Sequence, residues 1–586
     1  MYHSKHRSLP SGQRRLACLA AAACGTLLLA STAHAITCPA TSPPPGAPVA
    51  VSIANKQYFT YKGQLLPLLG ISHEYTCHIP QDATHDAWYC TLGNYPSVLQ
   101  ALKNNKNNVV RLWTIFNHSP GYKPNRNPPR YDPFTNEQPF RYNEATRKWD
   151  LRAKINNSNN LNDNYLANLE SVVCDAYNKN IVVEVSLLDP WQGEHMKGPF
   201  HSSNTVTFFD PVTNTNVTPG FAQEYHFLTY ESPSTKTDVT RAAQIARQAQ
   251  KDAIAAIVNR LKKYPNIIWE VANEPDFLPS GTTLQNVFDV QKDMLAVIQA
   301  NDTTHPIMIN GHTGTTFAWN TADAKAASLH YTHIPDANYY GAIELQRAST
   351  LTAARANVPL AFNENRFVPS SERTVDAIRS EAWEFMLNEG GLFDAYSLDR
   401  SAPAAQQASI QFKALSDFLV APSIVGGIPT YIWDLASMQQ TSCNGVNDWC
   451  TGLPAYGTSD QGTCTTQAAN VYWATMKSDT SLAVYIHHAT QLSGTFGGYA
   501  AKLCGTGTTG SGYSANYPSA IGGPFRFRVP QPGCWSTVWI DPATKTKISG
   551  GLTDLVANTW YQPSSYPYYK HDIVFLASLW RAGSCY

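Results

Sequence analysis

Charge is what this chain has least of. Only 15% of its 586 residues are Asp, Glu, Lys or Arg, and 43 basic against 43 acidic residues leave a formal net charge of zero. Without a basic excess there is no electrostatic hold on nucleic acid or on an anionic membrane as the main partner. No Cys-x-x-Cys pair or Cys/His grouping has zinc-site spacing, so no metal is expected. The first apolar strand is not followed by a Gly-rich phosphate loop, which weighs against a doubly wound nucleotide-binding sheet. No short-period repeat favours a solenoid. The apolar run near the N-terminus is too short and Ala-rich for a stable membrane anchor.

Aromatic residues are plentiful at 11%, with 30 Tyr and 14 Trp. A surface poor in charge and rich in aromatic hydroxyls suits neutral, ring-shaped ligands. Lys5, Arg7, Arg14 and Arg15 precede the apolar run Leu16–Ala30, and Ala33-His-Ala35 supplies small residues around a cleavage point. Residues 1–35 therefore read as a signal peptide and 36–50 as a Pro-rich leader, which predicts a secreted or periplasmic protein. Removing Cys18 and Cys24 with the signal leaves ten of the twelve cysteines, an even number in an exported chain. Close spacing makes Cys77/Cys90 and Cys443/Cys450 plausible disulfides, with Cys464 a competitor in the second cluster. Cys504/Cys534 could staple the C-terminal region, and Cys174, in a helical pattern, reads as a buried free thiol.

The length favours two domains. Residues 51–66 alternate and turn at Lys62-Gly63, as a hairpin closing the bottom of a barrel. Apolar strands follow at Leu66–Ile71, Asn108–Trp113, Ile181–Leu187, Ile267–Val271, Pro306–Asn310, Ala327–Tyr331, Pro359–Glu364 and Gly427–Trp433. Helical patterns around 98–102 and over 164–178, 240–263, 284–300, 371–389 and 403–420 lie between them. Long insertions follow strands two and three, at about 116–160 and 188–237. This alternation predicts an α/β fold, a (β/α)8 TIM barrel over 51–477. From 478 to 586, alternating segments between Gly, Pro and Ser clusters predict a smaller C-terminal antiparallel β-sandwich, with Trp535 and Trp539 in its core.

Two strands end in acids. Strand four runs into Asn273-Glu274-Pro275, where Pro275 has no amide to continue pairing. Strand seven ends at Glu364. Both acids fall at the C-terminal mouth, where barrel enzymes keep their chemistry. Two carboxylates across a barrel mouth point to hydrolysis of a glycosidic bond: one protonates the leaving oxygen while the other attacks from the opposite face. Arg111, ending strand two, is the natural cation beside the nucleophile and equally suits a structural ion pair. Asn273 can bond a sugar hydroxyl, His330 or Tyr331 could touch the nucleophile, and Trp433 suits the pocket floor or the barrel core. Glu74 is either a third acid in the pocket or an ion-pair residue. Trp113, Trp191 and Trp319 are candidate sugar platforms, whereas His195 and His201 read as plain loop residues.

Trp269-Glu-Val-Ala-Asn-Glu-Pro275 with Pro359-Leu-Ala-Phe-Asn-Glu364 resembles the clan A retaining glycoside hydrolases, with family 5 and its relatives the nearest comparison. The resemblance covers roughly residues 50 to 475. It implies that Glu274 is the acid/base, that Glu364 is the nucleophile, and that Arg111, Asn273 and Trp433 serve the substrate. Strand six departs from the pattern: family 5 often has His-x-Tyr, and this chain reads His330-Tyr331-Thr332-His333. Pro532-Gly-Cys-Trp-Ser-Thr-Val-Trp-Ile-Asp-Pro542, with His571-Asp-Ile-Val-Phe575, resembles the β-sandwich behind apiosidase-like barrels. That tail carries a collagen-binding label, taken here as a family name and not as grounds for collagen. The expectation is a retaining hydrolase of poly- or oligosaccharides that needs no cofactor. The alternative is a non-catalytic carbohydrate- or matrix-binding protein on a barrel scaffold.

Overall fold

The computed structural model describes residues 46–72, 95–114, 139–143, 148–150, 154–155, 158–188, 208–210, 215–217, 241–272, 284–311, 329–331, 359–363, 375–395, 403–420, 423–425, 428–430, 437, 439–441, 443, 445–453, 458–464, 467–490, 502–503, 513–514, 525–564, 567–569 and 572–586. The expected signal peptide, most of the leader, the Cys77/Cys90 pair and most of both long insertions lie outside the described residues.

Eight parallel strands close into a barrel. Strands one to eight are Leu68–Ser72, Val109–Trp113, Val182–Ser186, Ile267–Glu270, Ile307–Gly311, Leu329–Tyr331, Leu360–Asn363 and Leu392–Ala395. Each pairs with the next in the chain, and strand eight closes on strand one through Leu392↔Leu68 to Ala395↔Ile71. Seven of the eight lie where the apolar runs predict them. The eighth corrects the reading of Gly427–Trp433, a region in which Ser423–Val425 and Ile428–Thr430 pair only with each other, antiparallel. Pro429 explains why: it has no amide to give a ladder, so it cannot occupy a central parallel strand. The true strand, Leu-Phe-Asp-Ala, is only four residues with an acid inside, which hides it from an apolar-run criterion.

The helices follow their sequence patterns. Asp163–Asn178 begins at Asn162, whose side chain accepts from the Tyr165 amide, and buries Tyr165, Leu166, Leu169, Val172 and Val173 at helical spacing. Helix Val375–Leu387 follows strand seven and helix Pro403–Val420 follows strand eight. Among the described residues no helix is long and apolar enough to cross a membrane.

The hairpin under the barrel forms as expected. Tyr61 and Gln64 face each other across Lys62-Gly63, both with positive φ (52° and 76°), the two-residue turn that matches strand twist. Its Val49, Phe59 and Tyr61 join Leu68, Val109, Val182, Ile268, Met308, Ala361 and Leu392 in one core cluster. Seven strands thus supply one apolar interior row, plugged from below. Gly70, two residues further along strand one, has no room for a side chain: an added Cβ would sit 1.8 Å from the Val109 carbonyl oxygen.

The C-terminal region is organised on one large antiparallel sheet with strand order 439–440, 467–478, 481–490, 572–581, 533–540 and 547–555. The expected boundary at 478 falls in a hairpin turn: Ala469–Ser478 of strand Gln467–Ser478 pairs with Ser481–Thr490. The sheet therefore begins before the boundary. One face packs Trp473, Val484, Ile486, Trp535, Trp539 and Phe575 against Cys450, Phe525 and Phe527 of a short covering layer. Trp535 and Trp539 are core, as expected. Cys443 and Cys450 are joined, which excludes Cys464 as partner of either. Cys534 bonds to Cys585 and not to Cys504, clamping the chain's last residues to the sheet. Cys174 is disulfide-bonded and is not a free thiol.

The sheet's other face meets helix Val375–Leu387 through buried polar groups. Arg379 donates through Nε and Nη2 to both oxygens of Asp572, at 3.0 and 2.7 Å, and through Nη1 to Gln411. Tyr485 donates to the same Asp572, and Trp383 stacks on the Tyr485 ring at 5.8 Å. His487 Nε2 lies 2.6 Å from Glu384 Oε2, both fully buried. Burial, and then the neighbouring Glu384, push the Glu381 carboxyl well above its ordinary range.

Removing one partner of a buried, hydrogen-bonded pair strands the other. Asp572→Ala should therefore cost ~3–5 kcal/mol in urea unfolding. Glu381 has a raised folded pKa, so its contribution to stability is complete below about pH 4.5 and is lost as pH rises through the folded value. Glu381→Gln should remove that loss, leaving the variant more stable than the parent near pH 8 but not near pH 4; thermal unfolding across pH measures it.

Candidate active site

Interior positions alternate along each strand, so the row above the apolar one is fixed by parity. On strands two, three, four and eight that second row is Arg111, Glu184, Glu270 and Asp394, each with no exposed surface. The barrel interior thus changes from wholly apolar to charged within one step of two residues.

Arg111 is the centre of this row. Its Nε donates to Glu270 Oε2 at 2.8 Å and its Nη2 to Glu270 Oε1 at 2.5 Å, a two-point contact. Glu184 Oε1 stands 3.5 Å from the same Nε. The guanidinium carbon lies 4.8 Å from the Trp113 ring centre, so the cation stacks on an aromatic face. Since strand three lies between strands two and four, the pair bridges non-adjacent strands through the interior. Of the two roles the sequence leaves open for Arg111, the buried ion pair is present.

Trp113 is only 2% exposed, which removes it as an open sugar platform. It is in register with Ser186 on strand three. The Trp113 indole nitrogen and the Ser186 hydroxyl are buried without a hydrogen-bond partner.

Strand four is held from outside as well. Trp269 points away from the interior and donates to Asp302 Oδ2 at 2.9 Å, while His305 Nδ1 lies 2.6 Å from the same oxygen. Burial alone would raise the Asp302 carboxyl; the hydrogen bond and charge of His305, the Thr304 amide and the Trp269 donor outweigh it and hold the group below its ordinary value. At the lower end, the Asn266 side chain donates to the Val173 and Ile181 carbonyls. The strand that runs towards Asn273-Glu274 is thereby fixed on both faces.

Strand six gives backbone placement only. His330 is in register with Ala361, in the interior row, whereas Tyr331 is in register with Phe362, which packs outward on Phe385 and Phe393. Position 330 is therefore the interior one of the two. Glu74, Asn273, Glu274, Glu364 and Trp433 lie outside the described residues, as do Trp191, Trp319, His195 and His201. In sequence, Glu274 stands two residues beyond Ala272 and Glu364 directly follows Asn363.

Sequence reasoning passed over Glu184, Glu270 and Asp394. Their signal was present: a charged residue inside a short, otherwise apolar strand has to be paired or functional.

The described residues thus form a closed eight-stranded barrel with a charged upper interior, and comparison adds what this chain is similar to. Residues 71–343 match the model of the Cellulase family, glycosyl hydrolase family 5, a stretch that includes Arg111, Glu270 and Glu274. That stretch is 273 of the chain's 586 residues, and over it the chain is similar to the glycoside hydrolases of that family. Three solved structures share its fold over 91% of the chain. One is a glycoside hydrolase at 9% identity and TM-score 0.52, with 97% of that chain covered. A glycoside hydrolase family 5 structure from Bacteroides vulgatus ATCC 8482 has 10% identity, TM-score 0.50 and 93% coverage of that chain. Another glycoside hydrolase from the same organism has 12% identity, TM-score 0.50 and 82% coverage. At such identities the likeness is one of fold, and its span takes in the C-terminal sheet. No curated protein matches the chain.

The Asp302 network yields a test. Its depressed pKa contributes stability that is present above about pH 3.8 and lost as pH falls through the folded value. Asp302→Ala should be less stable than the parent at pH 7, with the gap closing below pH 3.8; unfolding curves at the two pH values check it.

Proposed function

We propose that the chain is an exported retaining glycoside hydrolase that cleaves O-glycosidic bonds of a poly- or oligosaccharide by double displacement. Glu274 protonates the leaving oxygen while Glu364 attacks the anomeric carbon and forms a covalent glycosyl-enzyme. Glu274 then takes a proton from water, which displaces Glu364. Asn273 and the interior position of His330 serve the sugar and the nucleophile.

The observation that carries this reading is the place of the two acid-bearing strands in a closed barrel. Strands four and seven are separated by two strands on one side and by four on the other, so their ends stand on opposing arcs of one mouth. A retaining pair needs carboxyls about 5–5.5 Å apart, a span such opposed ends can close. Arg111 supports the reading as the buried cation one row below, although its charge is shared with Glu270 and Glu184.

A panel of polysaccharides and aryl glycosides tests it. Glu364→Ala should lose at least ~10³-fold in kcat, and azide should restore turnover with an inverted glycosyl azide as product. Glu274→Ala should fall most on substrates with poor leaving groups, because only those need the proton. Full activity in both variants would sink the two-carboxylate mechanism.

A further inference from the structure

The second interior row contains more charge than barrel stability requires. An ion pair sealed from water stabilises little over apolar residues of the same volume, and such replacements are often neutral or favourable. The row beneath is in fact filled that way, with Leu, Val, Ile, Met and Ala. Four fully buried ionisable side chains, Arg111, Glu184, Glu270 and Asp394, nevertheless occupy the second row.

Their geometry has a direction. Glu270 ends strand four, four residues before Glu274 in the sequence. Its two oxygens take the Nε and Nη2 edge of Arg111, which fixes the guanidinium plane. Trp113 covers a face of that plane at 4.8 Å. Glu184 braces Nε from the strand between at 3.5 Å. The planar cation is thus held in-plane by one carboxylate, from the side by another, and from above or below by a ring.

We propose that Glu270 is a positioning residue for the hydrolytic reaction: through its two-point contact it sets the plane of the Arg111 guanidinium and ties the acid/base strand to strand two. The inference rests on the assignment of Glu274 and Glu364 to catalysis. Glu270 acts through Arg111 and through strand four, which it ends four residues before Glu274. A displacement of about 1 Å at a reacting group can cost on the order of 10²-fold in rate, so an anchor four residues from the acid/base matters to kcat more than to KM.

The test is a set of variants measured for kcat, KM, pH profile and thermal unfolding beside Glu364→Ala. Glu270→Gln, whose amide still accepts one of the two hydrogen bonds, should lose about 10²-fold in kcat with KM changed less than about threefold. The double variant Arg111→Met/Glu270→Leu removes this pair but also takes the cation from Glu184, so it should melt below the parent and remain at least as impaired in kcat. The exchange Arg111→Glu/Glu270→Arg keeps the pair and moves the cation to strand four; it too should fold and stay impaired. A purely structural pair predicts the opposite. If either folded double variant has parental kcat and pH profile while Glu364→Ala is inactive, the positioning role is wrong and the two-carboxylate reading stands. If the doubles fail to fold, parental kcat in Glu270→Gln overturns the positioning role in the same way. If Glu364→Ala is itself fully active, the catalytic assignment fails first and the role of Glu270 with it.

Discussion

The contact on which the rest of the site depends is the Arg111–Glu270 pair. It crosses strand three inside the barrel, so it fixes strand two against strand four in a way the backbone ladder, which joins only neighbours, cannot. Below it the interior is apolar and plugged by the N-terminal hairpin; above it the strands run towards the mouth. The pair therefore sits where the apolar interior gives way to buried charge. Desolvated charge is costly, and here it is compensated by the two-point contact and by Glu184. Outside the barrel, Trp269 and Asp302 hold the same strand four from its other face.

The C-terminal sheet belongs to the same set of rigid supports. Its inner face is bonded to helix Val375–Leu387, which lies between the strand that runs towards Glu364 and the strand that closes the barrel. Arg379 with Asp572, and Glu384 with His487, are desolvated on both sides of the joint. Separating the two parts would expose Trp383 and Tyr485 and break both contacts. The sheet is built as a buttress of the barrel rather than as a tethered, independently moving module, and the shared fold of the three solved glycoside hydrolases extends over both parts.

Most of this architecture was legible in the residues. Periodicity located the barrel helices, and the turn at Lys62-Gly63 marked the plug. Seven strands stood out as short apolar runs. Strand eight did not, because Asp394 interrupts it and Leu392–Ala395 is only four residues long. The boundary at 478 missed Gln467–Ser478 because the middle of that strand, Tyr472 to Met476, is buried on both faces and so lacks the alternation that announces a half-exposed strand. Cys534 finds Cys585 because the terminal strand Asp572–Arg581 returns beside it, a non-local fact that spacing does not carry. The charged row was visible in principle: Glu184 and Glu270 interrupt apolar strands at interior parity, a pattern that means pairing once the strands are known to form a barrel.

The most direct measurement is the stereochemistry of the first product. Proton NMR of a substrate the enzyme turns over, recorded before mutarotation, reads the anomer as it is released. Double displacement through Glu364 with Glu274 as acid/base predicts that the first sugar seen has the same anomeric configuration as the bond cleaved. An initial product of inverted configuration would contradict the covalent mechanism and require a water between two more widely spaced carboxyls.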